Sequence, residues 1–354
     1  MQYHIVVYGC QMNVADAERI SAVLEGMGYE KESKIDAADL VVVIMCSVRQ
    51  PAVDRIFGLI EKLKKIKNKP TTILTGCILK KDKKTFSNFF DFILDIKNLS
   101  DLPKLLKSKK TGLKLPKSYL DITPLNFDKS SAFLPISTGC NNFCSYCVVP
   151  YTRGRLVCRD HNKIIKEAKR LIKKGVKNIW LLGQNVNDYS SPTDPSVDFS
   201  KLLQIINNIK GDFKIFFTSP HPKNFSPKLI KTLAKLEKFS RYLNLPVQSG
   251  DNEILKKMNR CYTIEKYIAL VKKIRQAMPN INLSTDVIVG FPGETKKQFE
   301  NTVKLFKKIK FNVAYISKYS PRRQTTAWDM KDDVPFKEKK RRERVLQNII
   351  KNEK

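Results

Sequence analysis

The chain has 354 residues, with 66 Lys and Arg against 34 Asp and Glu, a formal net charge of +32. Apolar residues make up 42% and charged residues 28%, the balance of a folded chain and not of a disordered one. No apolar run reaches the 18 residues of a spanning helix, and the start MQYHIVVYGC lacks the basic-then-apolar form of a secretion signal. A cytoplasmic protein without a membrane partner is expected. In that compartment eight cysteines read as thiolates for metal or redox chemistry before disulfides.

The charge is uneven. Residues 1–115 carry a net +7 and residues 116–354 a net +25, a field that attracts polyanions and favours nucleic acid as partner.

In chain order, 4–9 (HIVVYG), 39–46 (DLVVVIMC) and 71–76 (TTILTG) read as short buried strands. Helical patterns lie between them, at 14–26 with Ala17, Ile20, Val23 and Leu24 on one face, and at 52–66 with Val53, Ile56, Leu59, Ile60 and Leu63. That alternation predicts an α/β fold with a parallel sheet over residues 1–115. A basic stretch with Gly, Pro and Ser around 108–131 marks the junction, with a linker placed at 116–130.

Beyond it, strands are predicted at 133–138, 177–183, 213–219, 241–247, 281–290 and 312–319. Helices are predicted at 161–174, 198–210, 226–239, 251–276 with a break, and 295–309. Six β/α units over 131–335 predict a partial (β/α)6 barrel with ligand residues at the C-terminal strand ends. A basic amphipathic helix is expected within 336–354, the last part of the chain.

Cys140, Cys144 and Cys147 follow the first barrel strand in a C-x3-C-x2-C spacing. Three thiolates leave one iron of a four-iron cluster open. This spacing is the signature of enzymes that cleave S-adenosylmethionine reductively, the open iron chelating its amino and carboxylate groups and the cofactor supplying the radical. Zinc is the competing reading, drawing on Cys144, Cys147, Cys158 and His161 in a non-catalytic RNA-binding protein. It leaves Cys140 unexplained. Cys10, Cys46 and Cys77 each end a predicted strand, so parallel strands bring them to one sheet edge, either as a second cluster set or as buried core thiols.

From Gln2 to Arg344 the sequence resembles the radical S-adenosylmethionine methylthiotransferase family. The motifs are GCQMN (9–13), CSVR (46–49), TGC (75–77), STGCNNFCSYCVVPYTRGR (137–155), LLGQNVNDY (181–189), LPVQSGDNEILKKMNRCYT (245–263), TDVIVGFPGET (285–295) and YSPR (319–322). GCQMN points to the branch that acts on N6-dimethylallyladenosine 37 of tRNA. A branch acting on threonylcarbamoyladenosine 37 is the alternative.

The resemblance implies two 4Fe–4S clusters and S-adenosyl-L-methionine as cofactors. Cys140, Cys144 and Cys147 would hold the catalytic cluster, and Cys10, Cys46 and Cys77 an auxiliary one. Gln184, Asn185, Gln248, Asp286, Gly290, Gly293 and Glu294 would line the cofactor pocket, and Arg153 and Arg155 would meet tRNA phosphate. The partner would be the tRNA anticodon stem-loop, the chain a monomer, and the sulfur and electron donors stay unidentified. The family's usual C-terminal RNA-binding barrel is not expected here, and the basic helix is assigned its place. Cys158 and Cys261 read as incidental.

Overall fold

A computed structural model describes residues 1–48, 50–107 and 114–352. Arg49 of the CSVR motif, the start of the predicted junction at 108–113 and the last two residues lie outside the described residues.

The N-terminal part holds β1 (Gln2–Val7), α1 (Gln11–Gly26), β2 (Glu30–Lys31), β3 (Leu40–Cys46), α2 (Gln50–Lys64), β4 (Thr71–Cys77), α3 (Lys80–Phe86), β5 (Phe92–Ile93) and α4 (Leu102–Leu105). Its strands form one parallel sheet in the order β2-β1-β3-β4-β5. The LVVVIMC run of β3 explains why helices cover both faces. Successive side chains point to opposite sides of a strand. Leu40, Val42 and Ile44 therefore pack with Ala17, Ile20, Val23 and Leu24 of α1, while Val41, Val43 and Met45 pack with Val53, Ile56 and Ile60 of α2. The chain reverses direction across the sheet between β1 and β3, and in such doubly wound sheets ligands bind at the strand ends beside that switch.

The second part follows with β6 (Ser131–Pro135), β7 (Ser137–Thr138), α5 (Val149–Thr152), β8 (Val157–Cys158), α6 (His161–Lys173), β9 (Asn178–Leu182), α7 (Phe199–Asn207) and β10 (Lys214–Phe217). Then come α8 (Pro227–Lys235), β11 (Tyr242–Asn244), α9 (Asn252–Lys257), α10 (Ile264–Ala277), β12 (Asn282–Val289), α11 (Lys296–Ile309), β13 (Val313–Lys318) and α12 (Phe336–Asn352). Two parallel three-stranded sheets, β6-β9-β10 and β11-β12-β13, form the wall of the barrel. They meet where Ile215 of β10 bridges Phe239 ahead of β11. Helix starts follow the sequence: Asp160 caps α6, Thr263 caps α10, and Thr295 with Gln298 forms a capping box on α11.

Helix α1 serves both parts. Phe133, Trp180 and Leu182 of the barrel join the apolar cluster that α1 builds with β3. Around this seam Arg19, fully buried, reaches Glu167 of α6 at 3.2 Å, and Glu167 also binds Arg159 at 2.7 Å. The joining segment is equally packed, with Tyr119, Leu120 and Ile122 buried.

Among the described residues no helix is long and apolar enough to cross a membrane. The basic helix α12 differs from the solvated face the sequence suggests. Lys339 and Arg342 point inward, paired with Asp332 at 2.6 Å and with Glu294 at 2.6 Å. Part of its charge therefore holds the barrel and is withheld from any polyanion.

Candidate cluster sites and the cavity between them

The first cysteine set gathers at the switch point. Cys46 and Cys77 end β3 and β4 as register partners, and Cys10, expected at a strand end, lies three residues beyond β1 and caps the start of α1. Asn13 ties the set together, its Oδ1 accepting from the Cys10 amide at 3.2 Å while its Nδ2 lies 4.0 Å from the Cys77 sulfur. The thiols feel one another. Its hydrogen bond with Cys77, and then burial, push Cys46 well up, whereas the same bond and the Arg153 guanidinium hold Cys77 below the ordinary thiol range. Cys10 opens on a cavity, yet sits deep enough for desolvation to raise it.

The second set sits on the loop between β7 and α5. Gly139 starts the loop at φ +79, and a Cβ there would run into the Arg155 carbonyl oxygen, so the turn needs glycine. The loop is clamped by Ser145, whose amide donates to the Met258 carbonyl at 3.0 Å and whose Oγ donates to Lys257 at 2.8 Å. Arg260 donates from Nη1 to the Cys144 sulfur at 3.4 Å and from Nη2 to the Pro246 carbonyl at 3.0 Å. Burial, with Cys144 close by, pushes Cys147 up to about 12, and burial also raises Cys140.

All eight cysteines are free. Among the described residues no group of three or more His, Cys, Asp or Glu is placed to hold a single metal ion. The zinc set is accordingly not assembled: His161 bonds Ser191 through Nδ1 at 2.8 Å, and Cys158 lies in the β7–β8 pair, packed on the barrel core. A four-iron cluster is several ångströms across and needs its three thiolates around it, with no fourth ligand. Both triads fit that demand by donor chemistry, and each has a buried arginine donating to one sulfur.

A cavity of about 770 Å³ connects the two parts. Cys10, Cys46 and Arg55 line one side, and Trp180, Phe217, Tyr242, Asn244, Asp286 and Tyr315 of the barrel line the other. Asp286 accepts from Asn244 Nδ2 at 2.8 Å. Gln248, held at φ +70, donates its amide to the Asp286 carbonyl at 2.8 Å, fixing the segment after β11 against β12. Gln184 accepts from the Gly139 amide at 2.6 Å and so orients the cysteine loop. Asn185 is 1% exposed and its Oδ1 has no protein partner. The turn at Gly290, Gly293 and Glu294 faces α12. Glu294 Oε2 accepts from the Gly290 amide and from Arg342, both at 2.6 Å, and Gly293 donates to Asp333 at 2.7 Å.

One residue departs from the sequence reading. Arg153, expected at tRNA phosphate, is 2% exposed and spans the two parts to reach the Cys77 sulfur at 2.9 Å and Asp16 at 2.5 Å. Its partners lie 76 and 137 residues away, so no local pattern signals them. Arg155 is exposed and stacks over Phe143 at 4.3 Å. His221, which no motif singled out, lies buried four residues beyond β10 with Nε2 unpartnered. Burial and the Arg260 charge hold it at about 2, hence neutral.

Residues 134–306 match the family model described as the Radical SAM superfamily, and residues 2–94 the one described as Uncharacterized protein family UPF0004. The fold is similar to that of the radical S-adenosylmethionine methyltransferase TsrM from Kitasatospora setae. There the TM-score is 0.62 at 16% identity, over 89% of this chain and 72% of that one. It is also similar to the cobalamin-dependent S-adenosylmethionine radical enzyme OxsB, at TM-score 0.63 and 13% identity over 99% of this chain and 56% of that one. Barrel and cysteine loop thus define a radical S-adenosylmethionine enzyme.

Curated relatives narrow the class. The tRNA-2-methylthio-N(6)-dimethylallyladenosine synthase of Clostridium novyi is 43% identical over 94% of this chain and 77% of its own length. The synthase of the same name from Caldicellulosiruptor saccharolyticus is 40% identical over 98% of this chain and 77% of its own. The chain belongs to this family of radical S-adenosylmethionine methylthiotransferases. Membership brings a 4Fe–4S cluster and S-adenosylmethionine as cofactors.

Proposed function

We propose that the chain adds a methylthio group to C2 of N6-dimethylallyladenosine at position 37 of tRNA. The relatives' name supports this over nearly the full chain. The structural observation that carries it is the cavity that Cys10 and Cys46 line on one side and the barrel strands on the other. A sulfur source and a hydrogen-abstracting centre must reach one carbon atom, and this cavity opens the thiol-bearing sheet edge onto the barrel strands.

In this reading residues 1–115 form the auxiliary-cluster domain, 116–130 the connection and 131–335 the catalytic barrel. When bound, a cluster on Cys140, Cys144 and Cys147 supplies the electron for reductive cleavage of S-adenosylmethionine, and one on Cys10, Cys46 and Cys77 supplies the sulfur-delivering site. The chain's own residues do the positioning. Gln184 fixes the loop carrying the first three thiolates, and Arg260 holds Cys144 against the barrel. The unpartnered Oδ1 of Asn185 offers the cofactor an acceptor, and Gln248 holds the β12 backbone at Asp286. Trp180, Phe217, Tyr242 and Tyr315 give the cavity an aromatic wall that suits an adenine bearing an apolar dimethylallyl group.

The test is nucleoside mass spectrometry of tRNA from a strain deleted for this gene. Loss of 2-methylthio-N6-dimethylallyladenosine, restored by the intact gene, is expected. An unchanged level, or loss of the methylthio derivative of threonylcarbamoyladenosine instead, would overturn the assignment.

A further inference from the structure

Arg153 sits six residues beyond Cys147, at the end of the short helix α5, whose Val149 carbonyl takes its amide at 2.8 Å. Its guanidinium uses each of its three nitrogens. Nη2 bonds Asp16 Oδ2 at 2.5 Å, Nη1 bonds the Tyr119 hydroxyl at 3.1 Å, and Nε bonds the Cys77 sulfur at 2.9 Å. Arg153 and Asp16 are 2% and 0% exposed. An ion pair alone would be satisfied by the Asp16 contact. The fork geometry of arginine instead aims a third N–H across the seam at a thiol of the other part. The bond is short for a sulfur acceptor, as charge-assisted bonds are.

Arg260 makes the comparison. It too is buried and donates to a thiol, Cys144, but its other partners are the Tyr262 hydroxyl and the Pro246 carbonyl. No carboxylate balances it among those bonds, whereas Asp16 balances Arg153. The two cysteine triads therefore sit in different fields: one beside an arginine with no carboxylate ion pair among the described residues, the other beside a partly neutralised one. Hydrogen bonds and positive charge at a cluster's sulfurs stabilise its reduced form and raise its potential. Partial cancellation of that charge leaves the potential lower.

We propose that Arg153, balanced by Asp16, is a positioning residue of the barrel that sets the reduction potential of the cluster on Cys10, Cys46 and Cys77 through its bond to Cys77. This rests on the auxiliary-cluster reading above. It makes the potential of the N-terminal site depend on docking of the barrel, because the donor belongs to the catalytic loop and not to the domain that holds the thiols.

The test is an EPR-monitored redox titration of the anaerobically reconstituted full chain, with iron counted first. Arg153→Gln is expected to lower the potential of one cluster by at least tenfold in its reduction equilibrium, 59 mV for one electron. Asp16→Asn is expected to raise the potential of that same cluster, and the other cluster stays put in both variants. Opposite signs are the mark of an electrostatic role, since loss of packing would move both variants the same way. If Arg153→Gln fails to load, the Asp16→Asn shift still decides the matter. Loaded variants with unshifted potentials, or shifts of one sign, overturn the proposal alone. A wild-type chain that takes up only one cluster overturns the auxiliary-cluster reading and the proposal with it.

Discussion

Gly76 offers a perturbation confined to one of the two triads. It precedes Cys77 in β4 with φ +107, where a side chain is strained. A Cβ added there would lie 3.1 Å from Ile44 Cγ2 and Met45 N, and closer still to the Met45 carbonyl oxygen. The left-handed backbone alone costs Ala roughly 1–2 kcal/mol. The clash adds to that, because the obstacle is the backbone of β3, which cannot swing aside as a side chain can. Relief requires β3 and β4 to part by roughly 1 Å, the scale at which a preorganised site fails. The parting falls on the Cys46–Cys77 register pair and on the Arg153 bond.

Gly76→Ala should therefore still fold but lose the N-terminal cluster, dropping from about eight to about four irons per chain after reconstitution. S-adenosylmethionine cleavage should persist, while thiolation falls by more than tenfold. The assay pairs iron and sulfide analysis with chromatography of 5′-deoxyadenosine and modified nucleoside. Full iron content with wild-type thiolation would mean that β3 and β4 accept the methyl group without disturbing the triad. Loss of cleavage with thiol loading intact would contradict a disturbance confined to this triad.

Other outcomes follow from named residues. Cys144→Ala should abolish 5′-deoxyadenosine formation and keep the N-terminal cluster, whereas Cys46→Ala should keep cleavage and stop sulfur insertion; iron counts and product analysis separate the two, and continued cleavage in Cys144→Ala would contradict its role. Glu18 is buried with Oε2 unpartnered, and desolvation lifts it to about 7. A carboxyl raised above its unfolded value stabilises the fold only while protonated, so its contribution is full below about pH 4 and is lost as pH rises through about 7. Glu18→Gln should thus gain on wild type by up to about 3 kcal/mol at pH 8 and little at pH 4.5. Thermal melts at both pH values check this, and a pH-independent difference would refute it. Binding of tRNA should weaken at least tenfold as salt rises from about 50 to 200 mM, since phosphate neutralisation dominates such affinity; filter binding across that range reads it, and a flat profile would contradict the electrostatic account.

Much of the fold was legible because hydrophobic period reports burial. The two-faced burial of β3 is written in LVVVIMC, and the barrel strands and helices fall within a few residues of their expected places. The strand-end positions of Cys46 and Cys77 were equally readable, since parallel strands align their ends; the structure adds that they are register partners. What sequence could not give was side-chain direction over long separations. Arg153 read as a loop cation because its partners come from α1, β4 and the segment near Tyr119. Lys339 and Arg342 read as surface charge because their counterions, Asp332 and Glu294, lie on other elements. The orphaned atoms of Asn185 and His221 are properties of assembled loops, with no local sequence sign.

Both triads are proposed to serve one carbon atom of the tRNA base, taken up in the cavity that Cys10 and Cys46 line together with the barrel strands. A reaction of the reconstituted chain with S-adenosylmethionine, a reductant and an anticodon stem-loop carrying N6-dimethylallyladenosine deuterated at C2 tests it most directly. A methylthio group at C2 and deuterium in the 5′-deoxyadenosine released are expected. Cleavage of S-adenosylmethionine without deuterium transfer, with the base left unmodified, would contradict it.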